Sequence, residues 1–263
     1  MTLVSVITPT WQRHGPLMLR CVPSVQEQSW EDLEHIVVSD GPDEMLRVAP
    51  WPHPVRYSEL PEHDPVRHWG HLARLHALEL AQGDLIAYLD DDDHWTQHHV
   101  LQLATALEQN PRAGFAFSRT IVHARAGDVR IGDGRPAHGR LISSMVMHRR
   151  KLLDVATWEG PNPAEDWVLF EKWLLAGTEY ESVDAETVHY YPSDLSGVPV
   201  TFKPVARLRR LPPPAGAVLR AGDPLPVPGD TAGPVVGAAA ELPGPVAVPA
   251  AGLRVAAGLH GGG

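Results

Sequence analysis

The sequence predicts an α/β domain with a mostly parallel central sheet flanked by helices. Short β-branched runs alternate with longer amphipathic stretches along the first 210 residues, and this alternation is typical of parallel strands joined by helical crossovers. The strand-like runs end in turn residues such as Pro9 and Asp40-Gly41-Pro42. The chain has 263 residues, of which 43% are hydrophobic, so it can bury a substantial core.

The first half of the chain is predicted to hold four strands and two helices. The strands are expected where β-branched and apolar residues run together, at Leu3–Thr8, Glu34–Ser39, Val55–Tyr57 and Asp84–Leu89. One helix is expected at Pro16–Gln28, where Pro23 would interrupt it. The other is expected at Val66–Gln82, because its apolar residues share one face and Gly83 follows as a stop.

The second half continues the alternation of helices and strands. Helices are expected at Thr96–Gln109, with Thr96 as the cap, and at Ala164–Ala176, which Gly177 would end. Strands are expected at Gly114–His123 and Thr187–Tyr191. Residues 124–140, which lie between these elements, are polar and rich in glycine, so they predict a turn or a hairpin.

The composition changes after Arg210. Residues 211–263 are mostly Pro, Ala and Gly and contain no Phe, Trp or Tyr. Such a segment has little large apolar surface to offset the entropy of ordering it. The sequence therefore predicts a folded domain over residues 1–210 and a low-complexity, disordered tail over residues 211–263.

Charge and cysteine content indicate which partners and which cellular compartment to expect. The formal net charge is −10, which argues against a nucleic-acid partner attracted by bulk charge. The single cysteine, Cys21, cannot form an internal disulfide, as expected in a reducing compartment. No signal peptide is evident, and no run approaches the ~20 apolar residues of a transmembrane helix. We therefore expect a cytoplasmic protein without a transmembrane segment.

Acidic residues follow two of the expected strands. Four consecutive carboxylates, Asp90–Asp93, come directly after an apolar run, and Asp40 comes directly after the second strand. Ligands of parallel sheets bind at the carboxyl ends of the strands, so these acids are expected at one edge. Carboxylates packed together repel one another unless a cation is present, and Mg²⁺ or Mn²⁺ prefers such oxygen ligands. A solvated acidic turn or a cap cluster for the following helix would also explain four aspartates alone.

Four segments together resemble the nucleotide-sugar glycosyltransferases of family 2, which have the GT-A fold. They read VSVITPTWQR, VVSDGPD, ARLHALELAQGDLIAYLDDDDHW and AEDWVLFEKW, in the order and spacing of that family. The resemblance spans roughly residues 1–205. It implies a metal-dependent, inverting transfer of a sugar from a nucleotide-diphosphate donor, expected to be a UDP-sugar, to an acceptor hydroxyl. Residues 1–110 would form the nucleotide-sugar-binding half and residues 111–210 the acceptor-binding half.

The resemblance also implies roles for residues of the donor half. The nucleobase and ribose pocket would be lined by Thr8, Pro9, Thr10 and Trp11. Asp40 would accept a hydrogen bond from the base, plausibly from uracil N3–H. Asp90 would lie near the ribose and a metal-bound water, Asp91 would help to orient the nucleotide, and Asp92 would bind Mn²⁺ or Mg²⁺ directly. Arg74 would contact the donor, although Leu75 stands where the family has an asparagine.

The catalytic base is expected in the acidic pair of the last segment. Asp166 would take the proton of the acceptor hydroxyl, which then attacks the sugar from the face opposite the diphosphate. Glu165 is the second candidate for this role. In the simpler interpretation, both acids only stabilise the N-terminal end of a helix. His189 would complete the metal shell, or would be a structural histidine.

These residues are compatible with three classes of function. The first is the glycosyltransferase, with a small molecule, a glycan or a lipid-linked compound as acceptor. The second is a nucleotidyltransferase or metal-dependent phosphohydrolase, although the N-terminal region lacks the Gly-rich basic loop of the former. The third is a non-catalytic protein that binds a nucleotide sugar.

Overall fold

A computed structural model describes residues 2–64, 70–125, 127–160 and 165–192. Within these ranges nine strands form one sheet. The strands are β1 (Val4–Thr10), β2 (Leu33–Ser39), β3 (Val55–Glu59), β4 (Leu85–Tyr88), β5 (His94–Trp95), β6 (Ala113–Ala124), β7 (Gly127–Ile131), β8 (Val146–Arg149) and β9 (Glu179–Tyr190). The predicted tail and its boundary at Arg210 lie outside the described residues.

The helices of the described residues lie between the strands. They are α1 (His14–Pro16), α2 (Val22–Gln26), α3 (Glu44–Arg47), α4 (His71–Leu80), α5 (His99–Gln109) and α6 (Glu165–Leu175). A π-helical turn at Leu17–Cys21 joins α1 to α2. No helix in the part of the chain that the structure describes is both long enough and apolar enough to cross a bilayer.

The sheet is mixed, with one half in which all strands are parallel and one half that contains both antiparallel and parallel pairs. Its order is β3-β2-β1-β4-β8-β6-β9-β5, and β7 forms a hairpin with β6. The four strands from β3 to β4 are parallel, whereas β8 runs antiparallel to both of its neighbours. Helix α4 packs on β1 and β2, and α5 packs on β6 and β9. The α/β class predicted from the sequence, a central sheet flanked by helices, is confirmed.

Strand β1 lies between β2 and β4, and all seven of its residues are buried. A central parallel strand covered on both faces needs a continuous rather than an alternating apolar run. The sequence VSVITPT meets this need because its two threonines can bond to buried polar partners.

The register of these strands places the segments that follow β1, β2 and β4 at one edge of the sheet. Thr10 pairs with Ser39 across β1 and β2, and the amide of Asp40 donates to the Thr10 carbonyl at 2.8 Å. On the other side, the amide of Leu89 donates to the carbonyl of Ile7 at 3.0 Å. The residues that follow β1, β2 and β4 therefore meet, as the parallel sheet predicts.

Three details of the helices differ from the sequence-based expectations. Pro23 does not break the first helix, because the π-helical turn ends just before it and α2 starts afresh with a proline in its first turn. The described part of α4 starts at His71 rather than Val66, after Gly70 in the left-handed region at φ +82°. Thr96 does not cap α5 with its side chain; the cap position is His98.

Candidate functional site

The acidic turn after β4 contains four aspartates in four different environments. Asp93 is fully buried, where it accepts hydrogen bonds from the Ser144 hydroxyl at 2.8 Å and the Tyr191 amide at 3.1 Å. Its role is structural, since both carboxylate oxygens are used to tie the turn to the neighbouring chain. Asp90 differs most from it, because 30% of its side chain is exposed.

Arg13 provides a positive charge at the middle of this turn. Its guanidinium donates to Asp92 at 2.6 Å and lies 3.5 Å from Asp91. Asp91 also accepts a hydrogen bond from Thr10 at 2.7 Å. Burial raises the pKa of the Asp91 carboxyl to about 7, in spite of the opposite effect of Arg13. Arg13 was not identified from the sequence, although it is the last residue of the segment VSVITPTWQR.

Arg74 connects the acidic turn to helix α6. Its guanidinium donates to Asp90 at 2.7 Å and to Glu165 at 2.7 Å, residues that are 75 positions apart in the chain. Arg74 is only 5% exposed, and its charge lies 4.6 Å from the centre of the Trp158 ring. Burial raises the pKa of Glu165 to about 7, while Arg74 acts in the opposite direction.

Asp166 lies beside Glu165 in the first turn of α6. It is partly exposed, and one of its oxygens accepts a hydrogen bond from the amide of Trp167 at 2.7 Å. Burial raises the pKa of Asp166, with Asp90 contributing in the same direction. The structure thus brings both expected base candidates to the edge of the sheet that carries the acidic turn.

The residues expected to bind the base lie at the ends of β1 and β2. Asp40 is 9% exposed, and its Oδ1 atom is buried without a hydrogen-bond partner among the described residues. The ring of Trp11 is stacked on the ring of His63, with centroids 4.1 Å apart. His63 was not identified from the sequence, because no local pattern links it to Trp11.

Two further residues were expected in the nucleobase pocket, Thr8 and Pro9. Both are buried and hold the end of β1 in place. Thr8 is fully buried and forms a 2.9 Å hydrogen bond with His35, so its side chain has no exposed surface for a ligand. Pro9 is also buried and packs against Gly70, where an added Cβ would lie 2.8 Å from the proline Cβ. These contacts fix the backbone from which Thr10 and Trp11 project.

His189 belongs to a stack of histidine rings rather than to the acidic turn. Its ring lies parallel to that of His94, with centroids 4.3 Å apart, and it shares a 2.8 Å hydrogen bond with His123. Among the residues that the structure describes, no three His, Cys, Asp or Glu side chains form a group that could hold a metal ion. In this structure His189 is therefore not assembled with Asp92 into a metal shell.

The site as a whole has more acidic than basic groups. Two guanidiniums, from Arg13 and Arg74, pair with four carboxylates, those of Asp90, Asp91, Asp92 and Glu165. The carboxylates of Asp93 and Asp166 follow them directly in the chain. Carboxylate oxygens are the ligands that a hard divalent cation prefers, and water and phosphate can supply the rest of its shell.

Comparison with known proteins identifies a family for the chain. Residues 5–152 match the sequence model of glycosyl transferase family 2. A curated relative is WcaA of Escherichia coli strain K12, a protein named for glycosyl transfer in colanic acid biosynthesis. It is 26% identical over 121 residues, which are 46% of this chain and 43% of the relative.

Solved structures of TarS from S. aureus have the same fold. One TarS structure covers 73% of this chain with a TM-score of 0.59 and 18% identity, and the match spans 37% of TarS. A second, TarS residues 1–349 in complex with UDP-GlcNAc, matches with a TM-score of 0.59 and 17% identity over 73% of this chain and 59% of that one. This chain thus spans less than two thirds of each of these relatives.

Proposed function

Since the chain belongs to glycosyl transferase family 2, we propose that it transfers a sugar from a nucleotide-diphosphate donor, a UDP-sugar, to an acceptor hydroxyl. The observation that carries this proposal is the bridge made by Arg74. It holds the acidic turn and the first turn of α6 together through two 2.7 Å hydrogen bonds. Groups for binding a donor and for accepting a proton are thereby gathered at one edge of the sheet.

The geometry supports Asp166 as the base and Glu165 as a positioning residue. Glu165 is bound to Arg74 and buried, whereas Asp166 is partly exposed. In the proposed step, the Asp166 carboxylate takes the proton of the acceptor hydroxyl. The acceptor oxygen forms a bond to C1 of the sugar while the bond from C1 to the diphosphate oxygen breaks. Attack from the opposite face inverts the anomeric centre.

The donor would bind along the edge from β2 to β4. Trp11 offers an aromatic surface to the base, and the buried, unpartnered Oδ1 of Asp40 is an acceptor suited to uracil N3–H. Solved TarS structures are complexes with UDP-GlcNAc and with UDP, which supports a uridine nucleotide here. Arg13 and Arg74 are the guanidiniums near enough to the turn to bind a diphosphate.

A divalent cation, Mn²⁺ or Mg²⁺, fits the chemistry of this acidic set. Asp92 would hold it, with Asp90 beside it, and Asp92 would have to exchange its contact with Arg13 for one with the cation. When bound, such a cation would supply positive charge to the departing diphosphate. The structure offers no support for His189 as a further ligand.

The proposal extends to the acceptor and the compartment. A small molecule, a glycan or a lipid-linked compound would bind on the side of the site formed by the second half of the chain. The single cysteine is free and buried, which supports a reducing compartment and hence the cytoplasm.

The proposed function is tested by measuring UDP-sugar binding and transfer in the presence and absence of Mn²⁺. We expect binding to depend on the metal, and Asp92→Asn to abolish that dependence. Asp84→Asn is the matched control, because it makes the same change at the opposite end of β4. Unchanged calorimetric affinity in Asp92→Asn would contradict the metal assignment. Binding without transfer or hydrolysis would instead indicate a non-catalytic nucleotide-sugar-binding protein.

A further inference from the structure

The aromatic surface expected for the nucleobase is covered by a side chain of the protein. The His63 and Trp11 rings are parallel to within 3°, and their centroids are 4.1 Å apart. Two rings at stacking distance leave no room for a third ring between them. A base could therefore stack on this face of Trp11 only after His63 has moved away.

His63 also donates a hydrogen bond to the residue expected to bind the base, although to the main-chain carbonyl of Asp40 rather than to its Oδ1 atom. Its Nδ1 lies 2.9 Å from the carbonyl oxygen of Asp40 and 3.2 Å from the Asp40 carboxylate oxygen Oδ2. A carbonyl only accepts hydrogen bonds, so the Nδ1 atom carries the proton and donates it. Like uracil, the imidazole thus combines a flat ring on Trp11 with an N–H directed at Asp40.

Gly41 allows this close approach. It adopts φ +119°, and a Cβ added to it would lie 2.8 Å from the Trp11 ring and 2.9 Å from both the Cβ and the amide nitrogen of His63. Any larger residue would push His63 and Trp11 apart. The His63 side chain is 38% exposed, so it is free on one side to rotate towards solvent.

We propose that the His63 ring occupies the place on Trp11 where the nucleobase would stack. His63 then competes with the base and thereby sets the affinity of the protein for the donor. This inference rests on the proposed function, because it takes the base to be that of a uridine nucleotide. On binding, uracil replaces the imidazole on Trp11 and at Asp40, and His63 turns out to solvent. The contacts that His63 loses reduce the net affinity for the donor.

Isothermal titration calorimetry with UDP tests the inference directly. We expect His63→Ala to bind UDP about tenfold more tightly than the unmodified protein, because one aromatic stack no longer has to be broken. His76→Ala is the matched control: His76 is a partly buried histidine on α4 that bonds to Ser58, and its loss should leave the affinity unchanged. Trp11→Ala should weaken UDP binding whether or not His63 is present.

Nitrogen-15 NMR of labelled histidine gives a second, structural measurement. The imidazole signals of His63, assigned by their absence in His63→Ala, should shift to those of an exposed ring when UDP saturates the protein. Equal or weaker UDP affinity in His63→Ala, or unshifted His63 signals, would overturn the inference and leave the proposed function intact. Failure of UDP to bind either protein would overturn both the uridine donor and this role of His63.

Discussion

The carboxylates of the acidic turn differ in role because their partners differ. Asp93 is fixed by Ser144 and Tyr191, whereas Asp92 is held by Arg13 and Asp90 by Arg74. The sequence predicted the cluster and its place at a strand end. It could not predict that Asp93 is the structural one, because the partners of Asp93 come from segments about 50 to 100 residues away.

The first prediction concerns the proposed base. Asp166→Asn should retain UDP-sugar affinity and lower the rate of transfer by at least about a hundredfold, because a positioned base contributes about 10²–10⁴-fold. Binding is measured by calorimetry and transfer by release of UDP. Glu165→Gln serves as comparison; it should reduce both activity and stability, since it removes the negative charge that is paired with the buried Arg74. Full activity in Asp166→Asn would rule out the assignment.

Two residues show the limits of sequence analysis at this scale. His189 was expected near the metal because of the resemblance to related enzymes, but its ring position depends on stacking with His94 and His123. Arg13 was missed because an arginine after an aromatic residue has no distinctive local pattern. Contacts of this kind are set by tertiary packing, which a single sequence does not display.

At the scale of the elements, buried histidines in their neutral form link neighbouring strands and helices through hydrogen bonds. His148 on β8 donates from Nδ1 to the carbonyl of Arg149 and accepts at Nε2 from the Tyr88 hydroxyl on β4. Burial lowers the pKa of His148 to about 4 and that of His35 on β2 to about 3. Both side chains are therefore uncharged in the folded protein at neutral pH.

The second prediction is a loss of stability on mild acidification. A histidine with a lowered pKa in the folded state binds its proton more tightly when unfolded, so stability is complete above about pH 6.5 and falls towards pH 4. For His148 alone the loss at pH 5 is on the order of 2 kcal/mol. His148→Gln, which does not titrate, should show a smaller drop in melting temperature between pH 7.5 and pH 5. An equal drop in melting temperature in both proteins would contradict this role of His148.

The third prediction concerns the junction between α4 and β4. An added Cβ on Gly83 would lie 2.6 Å from the Leu3 carbonyl oxygen and 2.7 Å from the Ser5 amide of β1. Gly83→Ala should destabilise the protein by about 1–3 kcal/mol, because backbone atoms must move apart. Gly15→Ala is the control, since no atom lies within 4 Å of its added Cβ. Equal urea midpoints for the two variants would contradict the packing described.

The elements were predictable to different degrees for a physical reason. Strands β1, β2 and β4 are buried almost throughout and rich in Val, Ile and Leu, and such segments stand out in a sequence. Strand β8 has four residues, VMHR, and was missed. A segment so short has no detectable hydrophobic period. Its position in the sheet follows only from its pairing with β4 and β6.

At the scale of the whole molecule, the described residues contain a nine-stranded sheet and every candidate site residue. The parallel half supplies the acidic turn and the ends of β1 and β2, and Arg74 connects this edge to α6. The division into a donor-binding half and an acceptor-binding half stays a prediction, made from the motifs of the first half and the base candidates of the second. The details of the acceptor side were not predictable, since no motif was recognised there apart from the acidic pair.

The fourth prediction is that removal of residues 211–263 leaves the melting temperature and UDP affinity unchanged. All candidate site residues precede residue 192, and the removed segment has no large aromatic side chains with which to complete a core. Differential scanning fluorimetry and calorimetry on the full and shortened chains provide the measurement. A lower melting temperature in the shortened chain would show that the tail contributes to the fold.

The hydrogen bond between Tyr191 and Asp93 spans 98 positions of the chain, and this has a consequence during synthesis. At a translation speed of about 5–20 residues per second, the acidic turn leaves the ribosome on the order of 5–20 s before the strand that anchors it. Throughout that interval the growing chain has its aspartates but not the contact that shapes them. The acidic turn can thus reach its folded arrangement only after the end of β9 has been released.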